Sequence, residues 1–246
     1  MSHFFTSEEL KNGWELVLTG EQHHHLSRVL RMQPEDPVTL FDGKGSLYNG
    51  WILEIEKEKT RIKVQEKDLS NPEPSVSLHL IQALTKGDRF EYLLEKGTEM
   101  GFRSFTPLYT GRTIKRIKEK NLNRKMERWR KIVLGAAQQS KRAFLPDVNP
   151  PAHLKGLQKM IGVEKDVLWA WEGSSLPLKK IDLSSFSGEL YLLIGPEGGF
   201  APEEVNLLKK WDFKDFSLGP KILRSDTAGL VAVTLILDQF AGWEVQ

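Results

Sequence analysis

An apolar run, Leu190-Tyr191-Leu192-Leu193-Ile194, passes directly into Gly195-Pro196-Glu197-Gly198-Gly199-Phe200. This junction constrains the fold more than any other feature of the chain. A short continuous apolar run reads as a strand buried on both faces, the pattern of a parallel sheet covered by helices. Three glycines and a proline in the next five residues make a tight loop of bare backbone N–H groups. At the carboxyl end of a strand, such a loop sits where open α/β sheets bind ligands. A plain tight turn would not need so many residues without side chains.

The flanking pattern agrees. Strands are expected over 76–84, 105–109, 167–171, 190–194 and 213–218, alternating with helices over 88–100, 121–142, from Pro202, and 226–240. Such alternation gives a mostly parallel sheet. A second glycine-bearing loop, Leu218-Gly219-Pro220-Lys221-Ile222-Leu223-Arg224-Ser225-Asp226-Thr227-Ala228, follows the last strand and opens the last helix. Ser225 or Asp226 can cap that helix. Arg224 reads either as a surface cation or as a substrate contact beside the two loops. The first 70 residues differ: a helix over 23–32 and strands over 37–41, 47–55 and 60–64 suggest a small β-barrel. The stretch 70–75 is the best linker, so domains are expected at 1–70 and 75–246.

A chain of 246 residues accommodates two domains. It has no cysteine, which excludes thiolate nucleophiles, cysteine-ligated metals and enzymes that attack a pyrimidine ring through sulfur. Methylation of a ring nitrogen or a hydroxyl stays open. The chain start lacks a signal-peptide pattern and no apolar run suffices for a membrane span, so a cytoplasmic location is expected. Net charge is only +2, yet residues 103–142 carry 13 Lys and Arg against 2 acids. A block of +11 between two acidic segments suggests nucleic acid, with a solvated helix face as the bland alternative. Dinucleotide, P-loop, nucleophile-elbow and zinc-protease motifs are absent. Neighbouring histidines His23, His24 and His25 on a helix point in different directions and do not read as a metal site.

Five segments together resemble one family: His25-Leu26-Ser27-Arg28-Val29-Leu30-Arg31, Leu94-Glu95-Lys96-Gly97-Thr98-Glu99-Met100-Gly101, Ala136-Ala137-Gln138-Gln139-Ser140-Lys141-Arg142, the Gly195 loop and the 218–228 loop. Their order and the chain length resemble the bacterial 16S ribosomal RNA (uracil-N3)-methyltransferases, RsmE, of the SPOUT class. Two positions depart from that family, with Gln138 where Glu is usual and Lys141 where Gly is usual; Ser225-Asp226 replaces a Thr-Glu pair conservatively.

The resemblance implies a PUA-like RNA-binding barrel, then a SPOUT α/β domain ending in a trefoil knot, working as a homodimer on 16S ribosomal RNA or the small subunit. Spacing alone would give only a doubly wound sheet with a late ligand loop. S-adenosylmethionine is expected on the backbone of Leu193, Ile194, Gly195, Pro196, Glu197, Gly198, Gly199, Leu218, Gly219, Ile222 and Leu223. Arg224 is the expected stabiliser of charge on the uracil oxygens, and Glu95, Glu99 and Glu197 are candidate bases. RNA phosphates are expected at Arg28, Arg31, Arg112, Lys115, Arg116, Arg124, Lys125, Arg128 and Arg142. The alternatives are a non-catalytic RNA-binding or ribosome-assembly protein and a ribose 2′-O-methyltransferase on the same fold.

Overall fold

The computed structural model describes residues 2–68, 73–113, 116–162, 165–184, 186 and 188–240. Contacts divide the chain into two units, residues 1–73 with 137–145, and residues 74–136 with 146–246.

In the first unit, strands β1 (Ser2–Phe5), β2 (Glu15–Thr19), β3 (Pro37–Phe41), β4 (Leu47–Ile55) and β5 (Lys59–Asp68) form a sheet in the order β1-β3-β4-β5-β2. The β1–β3 pair is parallel and the other pairs are antiparallel. Alternation drives burial: β2 hides Leu16 and Leu18 and exposes Glu15, Val17 and Thr19. These join Phe4, Leu26, Val38, Leu40, Ile52, Ile62 and Val64 in one apolar core. The reading of the sequence did not anticipate β1 or β2. The single helix expected over 23–32 is instead a short α1 (Gly20–His24) followed by a π turn, His25–Val29. Leu26 enters the core, but Val29 and Leu30 are exposed, so the apparent apolar stripe is not one continuous buried face. The histidines do diverge. His23 is buried against the Thr60 hydroxyl at 2.8 Å, and His24 and His25 are exposed.

The second unit contains β6 (Ser77–Ala83), α2 (Arg89–Glu99), β7 (Ser104–Tyr109), β8 (Asp147–Val148), β9 (Ala152–His153), α4 (Leu157–Ile161), β10 (Asp166–Ala170), β11 (Glu189–Ile194), α5 (Pro202–Lys210), β12 (Lys214–Phe216) and α6 (Ser225–Gln239). Helix α3 (Glu119–Gln139) begins in this unit, and its last residues group with the first. The described strands run β12-β10-β11-β6-β7-β8, with β9 also on β7, and every pair is parallel. Leu190, Leu192, Leu193 and Ile194 are all buried, as a strand covered on both faces requires. β11 enters between β6 and β10, although β6 precedes it by a hundred residues; this order is consistent with a threaded chain path.

Three helices stop in the same way. After α2, Gly101 has φ +104 and the Phe102 N–H donates to the Gly97 carbonyl at 3.1 Å. After α5, Asp212 has φ +58 and Phe213 donates to Leu208. After α3, Lys141 has φ +59 and Arg142 donates to Ala137 at 3.0 Å. Each is a Schellman motif, whose C′ residue must be left-handed and is usually glycine. Lys141 therefore occupies a glycine-type position. Lys141→Gly is expected to remove the Cβ strain and, after the backbone entropy glycine gives up, to stabilise the protein by about 0.5–1 kcal/mol. A rise in the denaturant midpoint without a change in slope is the expected result; an unchanged or lower midpoint would contradict it.

Candidate functional site

Strands β12, β10 and β11 are neighbours and parallel, so their carboxyl ends emerge side by side. The loops that follow them enclose a cleft of about 620 Å³, within the usual range for small-molecule sites. The first loop brings Trp171, Glu172 and Ser174; the second brings residues 194–200; the third brings residues 217–223, with Ser225 and Ala228 of α6 beneath. The loops are tied together. The Trp171 N–H donates to the Phe216 carbonyl at 3.0 Å, and Ser217 and Leu176 are paired through backbone at 2.8 Å.

The Gly195 loop is a real turn. The Gly199 N–H donates to the Pro196 carbonyl at 2.9 Å, and Gly199 has φ +69, which glycine adopts without strain. A Cβ on Gly195 would lie 2.9 Å from the Phe200 ring, so glycine there allows the ring to tuck beneath the loop. The loop is also braced from outside. Glu204 is buried at the start of α5 and accepts from the N–H of Ala201 at 2.9 Å and of Gly111 at 2.7 Å. That grip on Gly111 delivers Arg112, whose guanidinium donates to the Gly198 carbonyl at 2.5 Å. Ile222 is 90% exposed on the cleft wall, an apolar side chain left open to a ligand.

Of the residues expected around a cofactor, Ile194, Gly195, Pro196, Glu197, Gly198, Gly199, Leu218, Gly219, Ile222 and Leu223 all line this cleft. Leu193 does not. Strand alternation turns it into the core with Ile81, Leu108 and Trp169, where it is fully buried. Arg224 is exposed between the lining residues Leu223 and Ser225, and its carbonyl accepts the first helical hydrogen bond of α6, from Ala228. The candidate bases part company. Glu95 and Glu99 of α2 are both held by Lys96, at 2.7 and 2.8 Å, and neither lines the cleft. Glu197 lines it and pairs with Arg89 at 2.9 Å. Sequence reasoning missed Trp171, Glu172 and Ser174, because nothing marks their loop as glycine-rich. The available signal was its position after a buried strand, the same position that marked the other two loops.

The basic residues also divide. Arg28 and Arg31 are exposed on the first unit, and Arg116 stacks over Tyr109 at 5.7 Å. Arg124 is exposed on α3, and Lys115 lies outside the described residues. Lys125 and Arg128 grip the buried Glu91 of α2 at 2.5 and 2.6 Å. Burial pushes the Glu91 carboxyl up, but the hydrogen bonds from Lys125 and Arg128 outweigh it and hold it below the usual carboxylate range. Their contribution to stability is thus present at neutral pH and is lost as acid protonates Glu91 below that range. Arg142 is not a phosphate contact. It is 5% exposed, and its guanidinium is taken by Glu73, which also accepts the Phe144 N–H at 3.0 Å. Its buried charge is satisfied within the protein.

A parallel sheet with a ligand cleft at its carboxyl edge, in a chain that also carries a small β module, defines a two-unit α/β protein with a small-molecule site, and both units match families of RNA methyltransferases. The family described as the RNA methyltransferase domain matches residues 71–237, and that described as the RNA methyltransferase PUA domain matches residues 18–65. The ribosomal RNA small subunit methyltransferase E of Bacillus subtilis is 33% identical over 94% of this chain and 93% of its own length. The protein of that name from Synechocystis is also 33% identical, over 90% of this chain and 72% of its own. The crystal structure of ribosomal RNA small subunit methyltransferase E from Neisseria gonorrhoeae bound to S-adenosyl methionine superposes with a TM-score of 0.90 at 29% identity, covering 97% of both chains. The chain belongs to the ribosomal RNA small subunit methyltransferase E family.

The division of basic residues selects the variant that probes RNA contact. Arg128→Glu would place a second carboxylate against Glu91 and disturb the packing of α2 on α3. Arg124→Glu reverses an exposed charge instead. It is expected to weaken RNA binding and reduce the slope of log K against log salt by about one to two counterions. An unchanged affinity and slope would make Arg124 a solvated charge only.

Proposed function

We propose that this protein methylates N3 of a specific uridine in 16S ribosomal RNA, using S-adenosylmethionine bound in the cleft at residues 194–200 and 217–223. The observation that carries the reading is the convergence of three strand-end loops on a cleft walled by glycine backbone and the exposed Ile222. An adenosine is a flat group edged with hydrogen-bonding atoms. It suits a site that offers bare peptide N–H and C=O groups with apolar faces at Ile222 and Trp171. A Cβ on Gly198 would meet only the Arg112 side chain, at 3.6 Å or more, so glycine is not required there by the protein's own packing, which supports a ligand at this backbone. When bound, S-adenosylmethionine supplies a methyl group activated by its sulfonium.

Uracil N3 lies on the Watson–Crick edge and carries a proton at neutral pH, so the base must be unstacked and its developing charge balanced. Arg224, exposed at the rim where α6 begins, is the cation we assign to the uracil oxygens. Among the three carboxylates expected as bases, Glu197 is the one at the cleft, and Glu172 joins it there. The 1–70 segment is assigned as the PUA-like module that holds RNA through Arg28 and Arg31, and 75–246 as the SPOUT-type catalytic domain with its chain threaded into a knot. A homodimer, in which one subunit presents RNA to the other, and a cytoplasmic setting complete the reading. Among the described residues no helix is long and apolar enough to cross a membrane.

Gly198→Val places a branched side chain in the ligand space and little else. Calorimetry is expected to show loss of S-adenosylhomocysteine binding with the fold intact, and unchanged binding would displace the ligand from this loop. Arg224→Ala is expected to lower kcat roughly a hundredfold, ~3 kcal/mol, with cofactor affinity almost unchanged. Arg224→Lys should restore little, because an ammonium lacks the planar fork. Raising the pH should partly rescue the alanine variant, since more N3 is then already deprotonated. A wild-type single-turnover rate for Arg224→Ala would remove it from the chemistry. Mass spectrometry of ribosomal RNA nucleosides from cells lacking the protein decides the product. Loss of 3-methyluridine supports the proposal; loss of a 2′-O-methylated nucleoside, or no loss, replaces it with the ribose enzyme or the assembly protein.

A further inference from the structure

Gln82 is a polar side chain buried to 2% exposure in the last turn of pleat before β6 ends, and no motif drew attention to it. It stands beside Ile194 in the parallel register of β6 and β11, immediately below the Gly195 loop. Its amide nitrogen donates to the Ser225 hydroxyl at 2.6 Å and more weakly to the Ala83 carbonyl at 3.3 Å. The Ser225 hydroxyl, also buried, donates in turn to the Gly195 carbonyl. Three elements distant in sequence are thus joined by one chain of hydrogen bonds: the end of β6, the loop after β11 and the first residue of α6.

The direction of this relay is fixed by chemistry. A carbonyl only accepts, so the single Ser225 proton must go to Gly195. Ser225 Oγ can then only accept from position 82, which requires an N–H there. The arrangement leaves the Gln82 carbonyl oxygen buried without a hydrogen-bond partner among the described residues. Such an orphan is costly, and a residue kept only for packing would avoid it by being apolar. The neighbouring helix also gives way to the amide: a Cβ on Gly229 of α6 would lie 3.3 Å from that oxygen and 3.2 Å from Leu93.

We infer that Gln82 is a positioning residue for the cleft. Through Ser225 it locks the Gly195 peptide against the start of α6, holding two walls of the cleft at a fixed separation before the ligand arrives. It does not itself line the cleft. The inference rests on the reading of this cleft as the S-adenosylmethionine site. Pre-organisation of this kind raises affinity because the loops are not ordered at the expense of binding energy.

Calorimetry with S-adenosylhomocysteine on the full chain tests it. Gln82→Leu and Ser225→Ala should each weaken binding by about tenfold, the scale of one buried hydrogen bond, while Ser225→Thr keeps the hydroxyl and should bind nearly as wild type. Gln82→Glu is the decisive variant. As a carboxylate it attracts the Ser225 proton and takes it from Gly195; once protonated it can donate again. Burial raises a carboxyl pKa, so its affinity should recover several-fold between about pH 8 and pH 6, while wild type stays flat over the same range. A merely structural role for Gln82 predicts no such recovery. If wild type binds and Gln82→Glu binds equally weakly or equally well across that range, the relay is overturned and the cleft reading stands. If wild type does not bind S-adenosylhomocysteine, the cleft reading fails and the inference falls with it.

Discussion

The parallel pairing of β12, β10 and β11 is the constraint on which the site depends. In a parallel ladder all strands end at one edge, so three segments far apart in sequence must release their loops at the same place. Antiparallel pairing would have sent the middle loop to the opposite edge. Register matters as much as direction. Because β6 and β11 are aligned, Gln82 comes level with Ile194 and reaches Ser225, and the turn at Gly195 begins where α6 starts. Cleft and core share this origin: Ile194 faces one way to line the cleft, while Leu193 faces the other into the apolar interior.

The basic segment shows why net charge is a blunt measure of a binding surface. Its thirteen cations face only two acids within the block, yet acids elsewhere reach into it. Glu91 of α2 engages Lys125 and Arg128, and Glu73 engages Arg142. Arg112 is directed to a carbonyl of the glycine loop. What the segment leaves for an anionic partner is a smaller set that includes the exposed Arg124, and the first unit adds the exposed Arg28 and Arg31. Part of the apparent nucleic-acid signal is therefore internal ion pairing, which holds α3 on α2 and closes the first unit around Arg142.

The end of α3 shows two positions whose physical role the structure supplies. Lys141 occupies a left-handed C′ position, so its cost is local strain at a helix end. Gln138 donates its amide to the His3 carbonyl at 3.3 Å, within the first unit. A glutamate there could not make that bond in its ionised form, so this chain uses position 138 to hold its amino-terminal strand.

How far the sequence reached can be judged residue by residue. Buried apolar runs announced β6, β7, β10, β11 and α6, because covering a strand on both faces leaves a continuous apolar stretch in the sequence itself. The two glycine loops were legible for a similar reason: left-handed turns and close backbone approach demand residues without Cβ atoms. Position after a strand then marked them as a ligand site. Strands β1 and β2 were not legible, being short and stabilised by partners far along the chain. The 23–32 helix was misread because periodicity does not reveal whether a face has anything to cover. Trp171, Glu172 and Gln82 escaped notice for a deeper reason. Their roles come from strand order and register, which are relations between segments and are written in no one of them. The chain by itself determined which stretches could be buried and which loops could turn; tertiary pairing alone decided which loops meet, which charges cancel and which buried amide holds the cleft in place.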